Sequence, residues 1–178
     1  MALPRELLPS YTYEDYEKWQ GDWELIEGIP FALASPSVKH QRVLAKLVRF
    51  LDEQLEKCPD CEVLPDTDYI VSEHTVLRPD ISVVCNNRGE KITVTPKVIF
   101  EIVSPSSAKM DEITKKVIYE KEGVNFYVLV YPKHKKVKIF KLTPEGSYKK
   151  LVDLSGGKFS LDLEGCSIEL NFDKILEV

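Results

Sequence analysis

The chain lacks any long hydrophobic run: no stretch of about 18 apolar residues occurs among its 178, so no membrane-spanning helix is expected. Its opening segment, Met1-Ala2-Leu3-Pro4-Arg5-Glu6, has no basic region followed by an apolar core. It does not read as a secretion signal, which points to the cytoplasm. There is no internal repeat, no linker-like stretch and no low-complexity segment. A chain of this length without such breaks reads as a single domain, 1–178, large enough for one continuous core.

Cysteine is sparse, with four residues: Cys58, Cys61, Cys85 and Cys166. Cys58-Pro59-Asp60-Cys61 has Cys-x-x-Cys spacing, but no second such pair or nearby histidine completes a zinc site. A thioredoxin-type motif should precede a helix, whereas this one follows one. The pair therefore reads as a structural loop or an opportunistic disulfide, and Cys85, inside a strand, as a buried thiol.

Charge is unevenly spread behind a formal total of −5. Residues 109–150 carry eleven lysines against five acidic residues, while the segments on either side are both acidic. One basic third on an acidic chain suits contact with nucleic acid through one face, and it suits solvated lysines on a helix and a hairpin equally well.

What is present is a mixture of the two hydrophobic periods. Thr12 caps a short helix over 11–20, with Asp15 at the third position. Residues 23–33 read as two short strands around Gly28. Ser35 and Pro36 look like a helix start, followed by Val43, Leu44, Leu47, Val48, Leu51 and Leu55 at three- and four-residue spacing. His40 shares that inward stripe, where it is either a hydrogen-bonded core residue or a ligand. Strands are expected at 62–64, 68–71, 76–85 and 97–103. Ser104 opens a second helix, with Met110, Ile113, Val117 and Ile118 as its apolar side and Gly123 as its C-terminal cap. An apolar strand at 125–131 turns through 132–135 into an alternating strand at 136–141, and short strands follow at 148–154, 159–163 and 168–170. The architecture expected is a mixed α/β fold: a mixed β-sheet flanked by helices, with parallel pairing across the 97–131 crossover.

Two residues break the apolar pattern. Asp80 lies in Val76-Leu77-Arg78-Pro79-Asp80-Ile81-Ser82-Val83-Val84, and Glu101 in Val98-Ile99-Phe100-Glu101-Ile102-Val103. A carboxylate in such a run is costly unless it is paired, hydrogen-bonded or bound to a cation. If the strands pair so that Asp80 and Glu101 share a face, both reach one hard cation such as Mg²⁺. The other reading is two acids at strand ends reaching water. Pro79 has no N–H and must interrupt the ladder beside Asp80. Asp111, Lys115 and Tyr119 fall on one helix face at four-residue spacing, where an exposed ion pair is the simplest account.

Six segments in order resemble the Uma-two family of restriction endonucleases, within the PD-(D/E)XK nuclease superfamily. They are Glu24–Gly28, Ser35–Val43, Arg78-Pro79-Asp80, Glu101–Ser106, Lys115 with Tyr119, and Gly123-Val124 with Tyr127. The likeness runs from about Tyr11 to Ile175. It implies a restriction-endonuclease-like core over about 35–142, with an N-terminal ribbon (11–34) and C-terminal strands (146–178) added to it. It also implies Mg²⁺-assisted hydrolysis of DNA phosphodiester bonds, with Mn²⁺ as the alternative ion. Asp80 and Glu101 would be the metal ligands, and Glu24 would support the metal or its waters. The superfamily's usual lysine, two residues after the glutamate, is Val103 here; Lys115 matches the lysine that replaces it from the following helix. His40 and Gln41 match a family pair expected to face substrate, and Lys135 and Lys136 of the basic turn are expected to meet DNA. Tyr131 stands where relatives commonly have aspartate. Enzymes that cut both strands are commonly homodimers, so a homodimer is the expected assembly, although no interface signature is visible.

Overall fold

The computed structural model describes residues 4–178; Met1, Ala2 and Leu3, part of the segment read for a secretion signal, lie outside the described residues. Among the described residues, no helix is long and apolar enough to cross a membrane.

The N-terminal part is built by local hydrogen bonding. Thr12 caps a single helical turn, α1 (Tyr13–Tyr16), and the Asp15 carboxylate accepts from the Thr12 N–H at 2.9 Å, a reciprocal box. Strands β1 (Trp23–Ile26) and β2 (Ile29–Ala32) then form a hairpin around Glu27 and Gly28, both in the left-handed region. Gly28 is constrained twice. Its φ is +80°, and a Cβ there would sit 2.3 Å from the Ser10 hydroxyl. Gly28→Ala should therefore lower stability by about 1–3 kcal/mol, read as a lower melting temperature. An unchanged melt would mean that Ser10 and the turn give way freely.

The long helix α2 (Val38–Leu55) buries Val43, Leu47, Leu51 and Leu55 along one stripe. Complete burial of each is worth roughly 1.5–3 kcal/mol. It starts two residues later than expected. Ser37 is the cap, its hydroxyl accepting from the His40 N–H at 3.1 Å, and Ser35 and Pro36 precede the helix. Two serines flank Pro36, and the local code does not distinguish them. The shift puts His40 in the first turn.

The expected strand over 76–85 is two strands in two different sheets. β5 (Thr75–Leu77) lies between β1 and β4 (Tyr69–Ser72), giving a four-stranded sheet in the order β2-β1-β5-β4. β6 (Ile81–Cys85) belongs instead to the main sheet. The chain crosses from one to the other through Arg78-Pro79-Asp80, where proline offers no ladder donor.

The main sheet also holds β3 (Cys61–Pro65), β7 (Val98–Ile102), β8 (Phe126–Tyr131), β9 (Lys136–Leu142) and β10 (Tyr148–Leu154). Its order is β10-β9-β8-β7-β6-β3, and only β7 and β8 run parallel, as the crossover between them requires. A separate two-stranded ribbon, β11 (Lys158–Asp162) with β12 (Ser167–Asn171), leads into a last turn, α4 (Phe172–Ile175).

Alternation along the strands produces two cores. Ile81, Val83, Val98, Phe100 and Ile102 face α2, the β11–β12 ribbon and α4. Val84, Ile99, Val103, Tyr127 and Leu129 face the other way, toward Ile26, Leu77 and Tyr119. Glu101 has the parity of Ile99 and Val103, so it points into the second core.

The cysteines depart from expectation. Cys85 is not a free thiol: it pairs with Cys61, its direct neighbour across β3–β6, and Cys58 pairs with Cys166. The Cys-x-x-Cys turn does not close on itself, because sheet pairing and the C-terminal ribbon bring other partners to each sulfur.

Candidate active site

Asp80 and Glu101 meet one step beyond the Ile81–Phe100 pair of β6 and β7. The Asp80 N–H donates to Glu101 Oε2 at 3.3 Å, and the Ile102 N–H donates to Asp80 Oδ2 at 2.6 Å. The other Asp80 oxygen lies 3.1 Å from His40 Nε2, presented by the first turn of α2. His40 Nδ1 in turn lies 3.0 Å from Gln41 Oε1.

On the far side of Glu101 stands Lys115. Its ammonium is 2.7 Å from Glu24 Oε1, 3.0 Å from Glu101 Oε1 and 3.8 Å from Asp111 Oδ1. The Tyr119 hydroxyl also donates to Glu101 Oε1, at 3.0 Å. The Arg78 N–H donates to Glu24 Oε1 at 2.8 Å, so the crossing segment that carries Asp80 is tied to β1.

The helix carrying Lys115 keeps only part of its expected apolar side inside: Met110 and Ile118 pack against the second core. Ile113 and Val117, expected inside, are 58% and 61% exposed, while Asp111, Lys115 and Tyr119 are buried. The charged face packs inward because Glu24, Glu101 and the Tyr127 hydroxyl, which donates to the Asp111 carbonyl at 2.8 Å, satisfy it there. The helix is also irregular. Met110–Lys115 winds as a π-helix before α3 (Lys116–Lys121) resumes regular turns, an irregularity that recurs at functional sites. Gly123 follows with φ +80°, as a C-terminal cap requires.

Electrostatically the site carries too much negative charge. Glu24, Glu101 and Asp111 are 1%, 2% and 3% exposed, and Lys115, at 4%, is the one buried cation among them. Burial holds the Glu101 carboxyl well above the usual carboxylate range; Lys115 pulls it down, and Asp111, Asp80 and Glu24 push it up again. Burial likewise raises Asp111 to about 6, against the pull of Lys115 and of a hydrogen bond from Ser107. Burial opposes the Lys115 charge, but Glu101, Glu24 and Asp111 outweigh it and keep the group an ammonium. His40 is also loss-making on burial, yet its bond to Asp80 and the Asp80 charge raise its pKa. Ser82, next on the Asp80 face, has a buried hydroxyl without a hydrogen-bond partner.

The structure thus brings Glu24, His40, Asp80, Glu101 and Lys115 together, with Gln41 against His40. Lys135 and Lys136 are exposed in the turn from β8 to β9. That turn stands at the end of the sheet where β7 delivers Glu101 and Ile102, but no contact joins these lysines to the carboxylates among the described residues. Tyr131 donates to Glu112 Oε1 at 2.5 Å, outside the cluster. Asp111 is a member of the buried set that no motif singled out. Its four-residue offset from Lys115 was the available signal, and it fits an exposed pair just as well. Among the described residues, no group of three or more His, Cys, Asp or Glu side chains is arranged to hold a metal. Asp80 and Glu101 offer a two-carboxylate donor pair.

The model of the family described as "Uma2: Putative restriction endonuclease" matches residues 13–172. The chain belongs to the Uma2 family. Among solved structures it resembles one described as a "putative nuclease belonging to DUF820" from Anabaena variabilis ATCC 29413, with a TM-score of 0.75 at 17% identity over 93% of this chain and 97% of that one. At that identity the likeness establishes the fold: a mixed sheet with flanking helices, as the strand and helix pattern indicates. No curated protein matches the chain. The family segments coincide with the cluster. Glu24, Asp80, Glu101 and Lys115 come from four separate stretches of the matched region and converge within hydrogen-bonding distance of one another or of a shared partner.

Proposed function

We propose that the chain is a metal-dependent DNA endonuclease hydrolysing phosphodiester bonds, with Asp80 and Glu101 as ligands of Mg²⁺, or of Mn²⁺. The observation that carries this reading is the charge of the cluster. Glu24, Glu101 and Asp111 surround a single ammonium, and Asp80 adds a fourth carboxylate whose own N–H is bonded to Glu101. Such a group repels a phosphate. The donor set suits a hard cation that keeps most of its waters and takes further oxygens from substrate phosphate. When bound, Mg²⁺ would offset the carboxylates and lower the pKa of a coordinated water.

The remaining work falls to the chain's own residues. Asp80 is held by the Ile102 N–H and by His40, so its orientation is set before any substrate arrives. Lys115, fixed by Glu24 and Glu101, steadies charge developing on the phosphate or holds the attacking water. Glu24 orients Lys115, and Tyr119 orients Glu101. Gln41, Lys135 and Lys136 contact the DNA backbone, with His40 at the same mouth. Cutting both strands calls for a pair of such sites and hence a homodimer, working in the cytoplasm.

The test is incubation of supercoiled and linear duplex DNA with the protein in Mg²⁺, in Mn²⁺ and in chelator. Nicked or linear product in the metal samples alone is expected. No product with either metal, or equal product in chelator, overturns the proposal.

A second reading is favoured by one observation: Lys115 is already engaged by two close carboxylates, and the strand position that usually supplies lysine holds buried Val103. On that reading the chain binds nucleic acid or protein without cutting. DNA binding would then survive chelation and weaken steeply with salt through Lys133, Lys135, Lys136 and Lys138.

A further inference from the structure

The chain's four cysteines come from three places in the sequence and meet at one end of the main sheet. Cys58 and Cys61 bracket a tight turn after α2, in which the Cys61 N–H donates to the Cys58 carbonyl at 2.9 Å. Cys85 ends β6 directly opposite Cys61, with their Cα atoms 3.9 Å apart. Cys166 comes from the loop between β11 and β12, its Cα 6.0 Å from that of Cys58. All four line a single cavity of about 340 Å³, whose charged residues are Lys57, Lys97, Asp60 and Glu164. Asp80 lies at the opposite end of β6. The five residues of that strand, at about 3.3 Å each, put the cysteines roughly 17 Å from the carboxylate cluster.

Tied in two sulfur–sulfur bonds, none of the four is a ligand. The pairing is nevertheless informative, because each bond takes one cysteine of the turn and one from elsewhere. Both cysteines of the turn line the same cavity, and each is bonded to a cysteine from elsewhere in the chain that lines it too. A Cys-x-x-Cys turn joined by two more cysteines is the donor set of a closed structural zinc site. We propose that reduction of the two disulfides converts this cavity into a tetrathiolate Zn²⁺ site.

The chemistry balances with a dithiol reductant. Two dithiols reduce the two disulfides to four thiols and become two cyclic disulfides themselves. Zn²⁺ then displaces four protons as the four thiolates bind. With Zn–S bonds of about 2.3 Å, tetrahedral sulfurs stand about 3.8 Å apart, so the sulfurs of each bonded pair must part by about 1.8 Å, which χ1 rotation at both cysteines can supply. The two lysines of the lining, Lys57 and Lys97, are matched by Asp60 and Glu164, the latter 3.4 Å from Lys97, so the charge of the centre is that of its own thiolates and metal. A compartment that keeps thiols reduced would favour the metal form, and an oxidising one the disulfide form. In both states the same four residues fasten the β11–β12 ribbon to α2 and β3 to β6.

The test uses the full chain, reduced with a phosphine, freed of reductant without oxygen and titrated with Co²⁺. One equivalent should bind with intense sulfur-to-cobalt charge transfer and the visible bands of a tetrahedral ion, and Zn²⁺ should bleach both. Cys58→Ser or Cys166→Ser should weaken binding by a hundredfold or more. Asp80→Asn should leave the thiolate bands unchanged, since an oxygen site at the carboxylates gives only weak octahedral absorption. Unreduced protein should show no thiolate band. If the reduced chain unfolds, Zn²⁺ should restore its circular dichroism. Reduced protein that shows no thiolate band with Co²⁺, or that unfolds and is not restored by Zn²⁺, overturns the proposal.

Discussion

Asp80→Asn protein is expected to fold normally and to lose DNA cleavage by about a thousandfold or more, a change of about 4 kcal/mol in the barrier. The substitution is conservative where the fold is concerned. The carboxamide oxygen can still accept from the Ile102 N–H, now 2.6 Å from Oδ2, and the amide can still face His40 Nε2. What disappears is the negative charge, and with it the affinity for a divalent cation. Glu101→Gln should also abolish cleavage but is the harsher change. Glu101 Oε1 accepts from both Lys115 and Tyr119, while Oε2 accepts from the Asp80 N–H, so a carboxamide NH₂ meets a donor on whichever side it turns. Matched melting curves separate lost chemistry from lost structure. His40 provides a second reading, since Asp80 raises its pKa and its proton resonances should titrate at lower pH in the Asp80→Asn chain. Unchanged cleavage by Asp80→Asn protein would remove the carboxylate pair from the mechanism.

Lys115→Met should cost both activity and stability. It leaves Glu24, Glu101 and Asp111 buried without their cation, and breaking a buried pair on one side costs about 3–5 kcal/mol. The loss should depend on pH, and its sign follows from proton counting. Burial already raises Glu101, and Asp111 to about 6, above the values the unfolded chain has. Across that interval the native state holds more protons than the unfolded state, so stability falls as pH rises. Removing the ammonium lifts both carboxyl groups further and steepens the fall. Lys115→Met protein should therefore melt nearest to the natural chain at pH 5 and furthest below it at pH 8. A small difference, constant with pH, would mean that Lys115 is no more than a surface ion pair. Protonation of Glu101, whose carboxyl burial holds above the usual range, should also weaken divalent cation binding, so activity should fall on the acid side.

These variants bear on a site whose legibility was uneven. The acids in the runs 76–84 and 98–103 marked Asp80 and Glu101 as a candidate pair on condition that the strands pair in register. Asp80 in fact precedes β6, and the Ile81–Phe100 pairing brings it beside Glu101. The stripe of α2 likewise announced the helix and directed His40 inward, although the cap proved to be Ser37. By contrast, hydrophobic periodicity was half right for 110–121: Met110 and Ile118 pack against the second core, but Ile113 and Val117 face out and Asp111, Lys115 and Tyr119 face in. Periodicity assumes that charged residues seek water, an assumption that fails when distant side chains supply equivalent partners. Glu24 and Glu101 do so here.

The carboxylates in apolar strands, the Thr12 cap, the glycine turns and the basic stretch of 109–150 were determined by the sequence alone, because each depends on neighbours a few residues away. The helix expected to open at Ser104 instead has Lys109 at its N-terminus, without a side-chain cap. Long-range packing decided the rest. It split 76–85 between two sheets at Pro79, gave the four cysteines their partners and turned Asp111, Lys115 and Tyr119 inward. Asp80 and Glu101 could be found by their cost in an apolar strand, whereas Lys115 acquires its role only when β1 and β7 bring their carboxylates to it.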